Sequence, residues 1–271
     1  MKRTVYLITA ALFGFFCTAC TQEDDWKPLF NGENLENFDT YLGPPFPRLE
    51  ELAAHVTPEN VYSVVELAGE KVIRVSGEVH GSMATRESFS NYHLQMVFKW
   101  GEYVPHERNS GLLYHSYDPF GASYWTWMGS MEFQLMHGNL GDAYIMVDEI
   151  QCEASVENRN NQYIYAPGGE KVQFGQQHRR RMIRKALDNE NPLGEWNTVD
   201  LYCFGTTAVH VVNGKTVLVN ENISVSKDGE STPLTSGKIQ IQSEGAEFFI
   251  KTMKIKPIVA IPAGLLEIDN E

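Results

Sequence analysis

Cysteine is scarce in this chain: of four, two lie within the first twenty residues, and only Cys152 and Cys203 are left for a folded domain. Two thiols make one bridge at most, so no disulfide framework is implied, and two buried thiols are an equal alternative to a pair. No CxxC, HExxH, P-loop or GxGxxG element occurs, which leaves no local signature of a zinc, nucleotide or dinucleotide site. Positive charge is also in deficit. A formal net charge of −13 without a basic tail argues against a nucleic-acid partner, whose phosphates require clustered Lys and Arg. The one basic run, His178-Arg179-Arg180-Arg181 with Arg184 and Lys185, reads either as a solvated face or as a clamp for an acidic group on a ligand. Helical periodicity is confined to Arg48–Ala54 and a short piece around Arg180–Leu187, which ends before Asn191-Pro192. No internal repeat and no linker-like stretch interrupts the middle of the chain.

The longest apolar run, Val5 to Phe16, is about a dozen residues behind a basic Met1-Lys2-Arg3 start, too short for a transmembrane helix and suited to a signal peptide. Cys17-Thr18-Ala19-Cys20 resembles a bacterial lipobox, with Cys17 where leucine is usual, and makes Cys20 the expected lipidated first residue of the mature chain; an ordinary signal peptide cut nearby is the alternative. The acidic Thr21-Gln22-Glu23-Asp24-Asp25 resembles the surface-export signal of Bacteroidetes lipoproteins and also reads as a solvated tether. The expected division is a signal peptide over 1–19, a tether over 20–25, one domain over 26–257 and an extension over 258–271. The expected location is a lipid-anchored protein of the outer membrane, facing the periplasm or the cell surface.

What the chain has in abundance is strands. Val72–Val75, Tyr92–Trp100, Gly111–His115, Met131–Met136, Thr198–Phe204, Val209–Val212, Lys215–Val219, Lys238–Gln242 and Phe248–Ile255 are β-branched or aromatic, often alternate, and are bounded by Gly, Asn, Asp or Ser. Asn213-Gly214 supplies the positive φ angles of a tight hairpin turn, so His210 to Val219 is expected to be a hairpin. Many antiparallel strands in one domain of about 250 residues imply an all-β, two-sheet antiparallel sandwich or jelly roll.

Two stretches carry the functional signal: Asn109-Ser110-Gly111-Leu112-Leu113-Tyr114-His115 and Met131-Glu132-Phe133-Gln134-Leu135-Met136-His137. Strand alternation places Glu132, Gln134 and Met136 on one face and Phe133, Leu135 and His137 on the other. A carboxylate and an amide on an exposed sheet face, with Tyr114, Tyr124, Trp125 and Trp127 nearby, suit a polyhydroxylated ring, that is, a sugar. Trp125 and Trp127, at i and i+2, are expected to project together, as a stacking platform or as a core pair. Tyr103, Tyr114, Tyr117, Tyr124 and Trp125 are the candidate aromatic walls, and Trp196 is expected in the core. Asn109 is a turn residue or a ligand to sugar.

Trp26-Lys27-Pro28-Leu29-Phe30-Asn31-Gly32 with Leu35 and Phe38 resembles the opening of the 3-keto-disaccharide hydrolase domain family, formerly a domain of unknown function. Gly81 and Thr85, Asn109-Ser110-Gly111, Glu132-Phe133-Gln134, Gly194-Glu195-Trp196-Asn197, Asn213-Gly214 and Lys238 to Gly245 follow in the family's order over nearly all of Trp26 to Pro257. Ser243-Glu244 stands where many members carry Asp-His, and the segment from Asp142 to Lys185 departs from the commonest pattern. The resemblance implies a concanavalin-like jelly roll whose concave sheet holds the ligand. It implies chemistry on a glycoside oxidised at C3, made by a separate sugar oxidoreductase: a base removes the acidified C2 hydrogen, the C1 substituent leaves, and water adds. On that reading Glu132 is the base or the group that orients it, with a carboxylate paired to Lys99 or Arg86 as its structural alternative. Gln134, Gln242, Lys99 and Asn109 then bind sugar or enediolate oxygens, and His115 and His137 are candidate acids or bases. His115 shares a face with Leu113 in simple alternation; His137 heads a flexible loop. No cofactor is required; a divalent cation held by His115, Glu132, His137 and Asp142 is allowed for, although no ligand spacing demands it. Two other readings stand beside this one. A non-catalytic carbohydrate-binding surface lipoprotein needs the same aromatics and amides. A retaining glycosidase needs two carboxylates about 5 Å apart, and Gln134 and Met136 occupy the places where a second acid would most economically stand.

Overall fold

The computed structural model describes residues 25–266; the expected signal peptide, Cys20 and most of the expected acidic tether lie outside them. Two antiparallel sheets face each other across one apolar core, the two-sheet jelly roll that the strand pattern requires. The larger sheet runs Gln162–Tyr165, Ile150–Arg159, Lys215–Lys227, Thr207–Val212, Asn197–Phe204, Tyr92–Trp100, Phe248–Pro257, Glu70–Val75, Tyr62–Leu67. The smaller runs Met182–Ile183, Ala143–Ile145, Gly129–Gln134, Gly111–Tyr117, Ser236–Ser243, Gly81–Thr85, Phe38–Leu42. Alternation along Tyr92–Trp100 sends Leu94, Met96, Phe98 and Trp100 inward, where they meet Leu112, Met131, Phe133 and Ile241 of the smaller sheet. Burial of such side chains contributes roughly 1.5–3 kcal/mol each, the main favourable term in a sandwich of this kind.

The hairpin at Asn213-Gly214 forms as expected, with φ of 48° and 82° at the two turn residues. Asn213 also uses its amide: it donates to the Asn189 carbonyl at 2.7 Å and to Asn197 Oδ1 at 2.8 Å, and accepts from the Thr198 N–H at 2.8 Å. The first helical expectation shrinks to Glu50–Ala53, and a further turn of helix lies at Pro58–Val61. The second is not a helix. Met182–Ile183 pairs with Ala143–Ile145, and Arg181 and Arg184 bond through their backbones to Ile145, Tyr163 and Tyr165. Two open strand edges on either side supply hydrogen bonds that a helical periodicity could not anticipate.

Cys152 and Cys203 are free, buried thiols on strands of the larger sheet with two others between them. Burial pushes the Cys203 thiol up to about 12 and that of Cys152 up as well. Beyond the last strand the chain folds back: Ile258 donates to the Asn91 carbonyl, and Leu265 packs on the core while its carbonyl accepts from Thr216 Oγ1 at 3.0 Å.

Candidate active site on the smaller sheet

The strand Gly129–Gln134 lies near the middle of the smaller sheet, and its alternation is as read: Phe133 and Leu135 are fully buried in the core, while Glu132, Gln134 and Met136 line a cleft of about 390 Å³ on the other face. One wall is the segment from Asp118 to Met128, folded across the sheet. It is pinned by Trp127 Nε1 donating to the Gly81 carbonyl at 2.9 Å, by Ser123 Oγ donating to the Met146 carbonyl at 2.8 Å, and by Gln240. Gln240 Oε1 accepts from Ser82 Oγ and the Met128 N–H, and its amide donates to Ser116. Gln240 and Gln242 share a strand face, so the first holds the wall and the second opens into the cleft.

The floor is unusual in its hydrogen bonding. Glu132 Oε1, Gln242 Oε1 and the Asn109 side-chain carbonyl are all buried acceptors without a partner in the protein, and all three residues line the cleft. A methyl group on Gly111 would collide with both Glu132 Oε1 and Gln242 Oε1, so the bare backbone of Gly111 is what lets these two side chains lie side by side. Gln134 has its Oε1 occupied by the Met136 N–H at 2.9 Å, which turns its NH₂ outward as a donor. Tyr124 and Tyr144 join their hydroxyls at 2.9 Å on the cleft wall; burial and this bond push the Tyr144 phenol up to about 12.

No lysine or arginine lines the cleft. Glu132 is 3% exposed, and burial, followed by the neighbouring carboxylates of Glu244 and Asp142, raises its carboxyl well above the usual range. Glu244, half-buried in the same cleft, is raised to about 8 by burial and by Glu107. Two like-charged groups in one poorly solvated cleft titrate as a pair and hold a proton at neutral pH. Neither Lys99 nor Arg86 reaches Glu132. Lys99 lies on the larger sheet, 5.0 Å over the Trp196 ring, and Arg86 pairs with Asp39 at 3.0 Å.

Several expected site residues lie elsewhere. His115 does not share the face of Leu113, because a bulge between Tyr114 and Tyr117 shifts the phase; His115 adopts φ of 52° and is fully buried against Tyr92 and Tyr114. Burial lowers its imidazole to about 4. His137 does not turn over the sheet: its Nδ1 lies 3.0 Å from Glu190 Oε1, whose second oxygen accepts from the Gly138 N–H. Asp142 is bound to Arg184 at 2.6 Å and to the Lys185 N–H at 2.8 Å; burial still raises its carboxyl, against the pull of those two donors. His115, Glu132, His137 and Asp142 therefore do not fit a shared cation, and among the described residues no three His, Cys, Asp or Glu side chains cluster as ligands.

The aromatic set divides as well. Tyr124 and Trp127 line the cleft, whereas Trp125, 77% exposed, points away because Tyr124 and Trp125 both adopt positive φ and break the i, i+2 alternation. Tyr114 is a core residue that receives Asn220 Nδ2 at 3.1 Å, and Trp196 is a half-buried surface ring between Lys99 and Lys251. The basic run is spent singly: Arg180 lies over Tyr163, Arg181 pairs with Asp148, Arg184 with Asp142 and Lys185 with Asp188. Glu244, His80, Tyr144, Met146 and Met182 are the cleft residues that sequence reasoning did not select. Glu244 carried two signals, its position where many members of the resembled family have histidine and its place two residues after Gln242, with Gly245 allowing the backbone to turn at φ of 135°.

Among solved structures, a provisionally assigned glycosyl hydrolase from Parabacteroides distasonis aligns with 86% of this chain and 99% of its own, at 20% identity and a TM-score of 0.48. The carbohydrate-binding module CBM66 from Bacillus subtilis aligns with 81% and 95% at 8% identity and 0.43. A galectin-like protein of unknown function from Bacillus subtilis aligns with 85% and 94% at 11% identity and 0.43. No curated protein matches the chain. The model of the 3-keto-alpha-glucoside-1,2-lyase-like domain matches residues 25–256, nearly the whole of the described jelly roll, and the chain belongs to that family.

Proposed function

We propose that this domain cleaves a 3-keto glycoside by removal of the C2 hydrogen and elimination of the C1 substituent, with Glu132 at the centre of proton transfer. The observation that carries the reading is the cleft floor: buried acceptors on Glu132, Gln242 and Asn109 without protein donors, beside a carboxyl without a cation. Such a surface is complementary to a ligand rich in hydroxyl donors, and a carboxyl kept out of water holds its proton more tightly than a solvated one, which suits it to proton transfer with the ligand. The outward NH₂ of Gln134 supplies a donor for the developing enediolate oxygen. Tyr124 and Trp127 flank the ring. The substrate comes from a separate oxidoreductase that oxidises the sugar at C3, and the chain is exported on a lipid attached at Cys20, to the periplasmic or outer face of the outer membrane. No step is routed through a cation.

Glu244 gives one further reading some support. The second carboxylate that an ordinary retaining glycosidase needs would come from the turn after the Ser236–Ser243 strand rather than from two or four residues along the Glu132 strand. One experiment separates the readings. Aglycone release is followed by chromatography from a 3-keto glucoside and from its unoxidised parent, with the soluble domain lacking residues 1–25. Release from the keto form alone, and its loss from an alkyl keto glucoside in Glu132→Gln with binding retained, is expected. Release from the parent identifies an ordinary glycosidase. Binding without release from either identifies a glycan-binding protein.

A further inference from the structure

We propose that Glu132 and Glu244 divide the proton work, Glu244 taking the C2 hydrogen as general base and Glu132 giving a proton to the departing C1 oxygen as general acid; the inference rests on the elimination reading above. Both side chains line one cleft but at different depths. Glu132 sits on the floor, 3% exposed, with Oε1 lying beside Gln242 Oε1 over Gly111. Each of these two unpartnered oxygens lies 2.3 Å from the place a Cβ on Gly111 would take, and a proton on Glu132 gives it a donor to offer where the protein supplies none. Glu244 is half-buried at the rim, on the backbone turn after Gln242, and is the better hydrated of the two. Of two such carboxyls the less hydrated keeps its proton, and the other, Glu244, raised to about 8, ionises first as pH rises. The remaining titratable side chains around the pair are Glu107 behind Glu244, Asp142 behind Glu132, and His80, Tyr124 and Tyr144 on the walls. None is a cation that would hold Glu132 ionised: burial lowers His80, and its Nδ1 faces the Pro44 carbonyl at 3.2 Å.

The step balances without an added reagent. Glu244 takes the C2 proton, and the C–H electron pair forms the C2=C3 enediolate. Its collapse forms the C1=C2 bond, restores the C3 carbonyl and breaks the C1–O bond, whose oxygen takes the Glu132 proton. Water then adds its oxygen to C1 and a proton to Glu132, while Glu244 returns its proton to C2. Both groups finish as they began.

The test compares deuterium uptake at C2 and aglycone release from methyl and p-nitrophenyl 3-keto glucosides, each above the buffer rate. Glu244→Gln is expected to lose uptake and release from both substrates by about 10²–10⁴-fold, the usual worth of a general base. Glu132→Gln is expected to lose methanol release to a similar degree, yet to keep C2 exchange and p-nitrophenol release, since that leaving group needs no acid. Formate is expected to restore exchange to Glu244→Ala, which tests the assignment in a variant whose cleft is otherwise intact. The opposite pattern, or Glu244→Gln matching the wild type, overturns the division while leaving the elimination reading in place. A wild type that releases nothing from either keto glucoside overturns both.

Discussion

Gly111 shows how much one residue decides in this cleft. The strand would accept many side chains there, but any Cβ meets the carboxyl oxygen of Glu132 and the amide oxygen of Gln242. Gly111→Ala is expected to destabilise the fold by about 1–3 kcal/mol, as overpacking does, and to displace both groups. Denaturant unfolding and aglycone release together check this; full activity with a normal unfolding midpoint would mean that the two side chains can part at no cost. Glu132 was legible from alternation alone, since Phe133 and Leu135 announce the buried face. His115 was not, because a bulge is a property of two strands: Gly237 opposite it has no room for a Cβ against the His115 and Ser116 backbone, and the shift turns the imidazole into the core.

At the level of elements, the Asn213-Gly214 hairpin is the clearest local instruction in the chain. A Cβ at Gly214 meets nothing within 4 Å, so Gly214→Ala is expected to cost only the left-handed conformation, about 1–2 kcal/mol. Asn213→Ala loses three hydrogen bonds to neighbouring segments as well and is expected to cost roughly 2–4 kcal/mol. Chemical denaturation of the two variants checks the order, and turnover should stay unchanged in both because the hairpin belongs to the larger sheet. The wall from Asp118 to Met128 is the contrasting element. Nothing in its own residues tells where it lies; Gln240, Ser82 and Gly81 from other strands hold it over the cleft, so Gln240→Ala should weaken sugar binding without touching a cleft-lining residue. Isothermal titration against the keto glucoside reads that outcome.

For the molecule as a whole, pH is the revealing variable. His115 and His210 are buried neutral with imidazoles lowered to about 4, so the folded state binds fewer protons than the unfolded one and stability is lost as pH falls from about 6.5 towards 4. Glu244 has the opposite sign. Its carboxyl rises from 4.5 to about 8 on folding, so its contribution is present at low pH and is lost as pH climbs through that window. Opposed slopes predict a stability maximum on the acid side of neutrality. Glu244→Gln should flatten the decline towards pH 8 and leave the acid limb intact, which thermal unfolding across the range checks.

The chain by itself determined the all-β class, most strands of the two central regions, the hairpin and the face on which Glu132 and Gln134 stand, because each follows from side-chain alternation and turn chemistry within a few residues. Only the tertiary structure decided which groups meet. Glu244 joins Glu132 from the turn after a strand more than a hundred residues later, His137 and Asp142 are captured by Glu190 and Arg184, and Lys99 is carried to the other sheet. Proximity across strands is set by register, bulges and loop anchoring, which are relations between distant segments and leave no trace in the residues of either one alone.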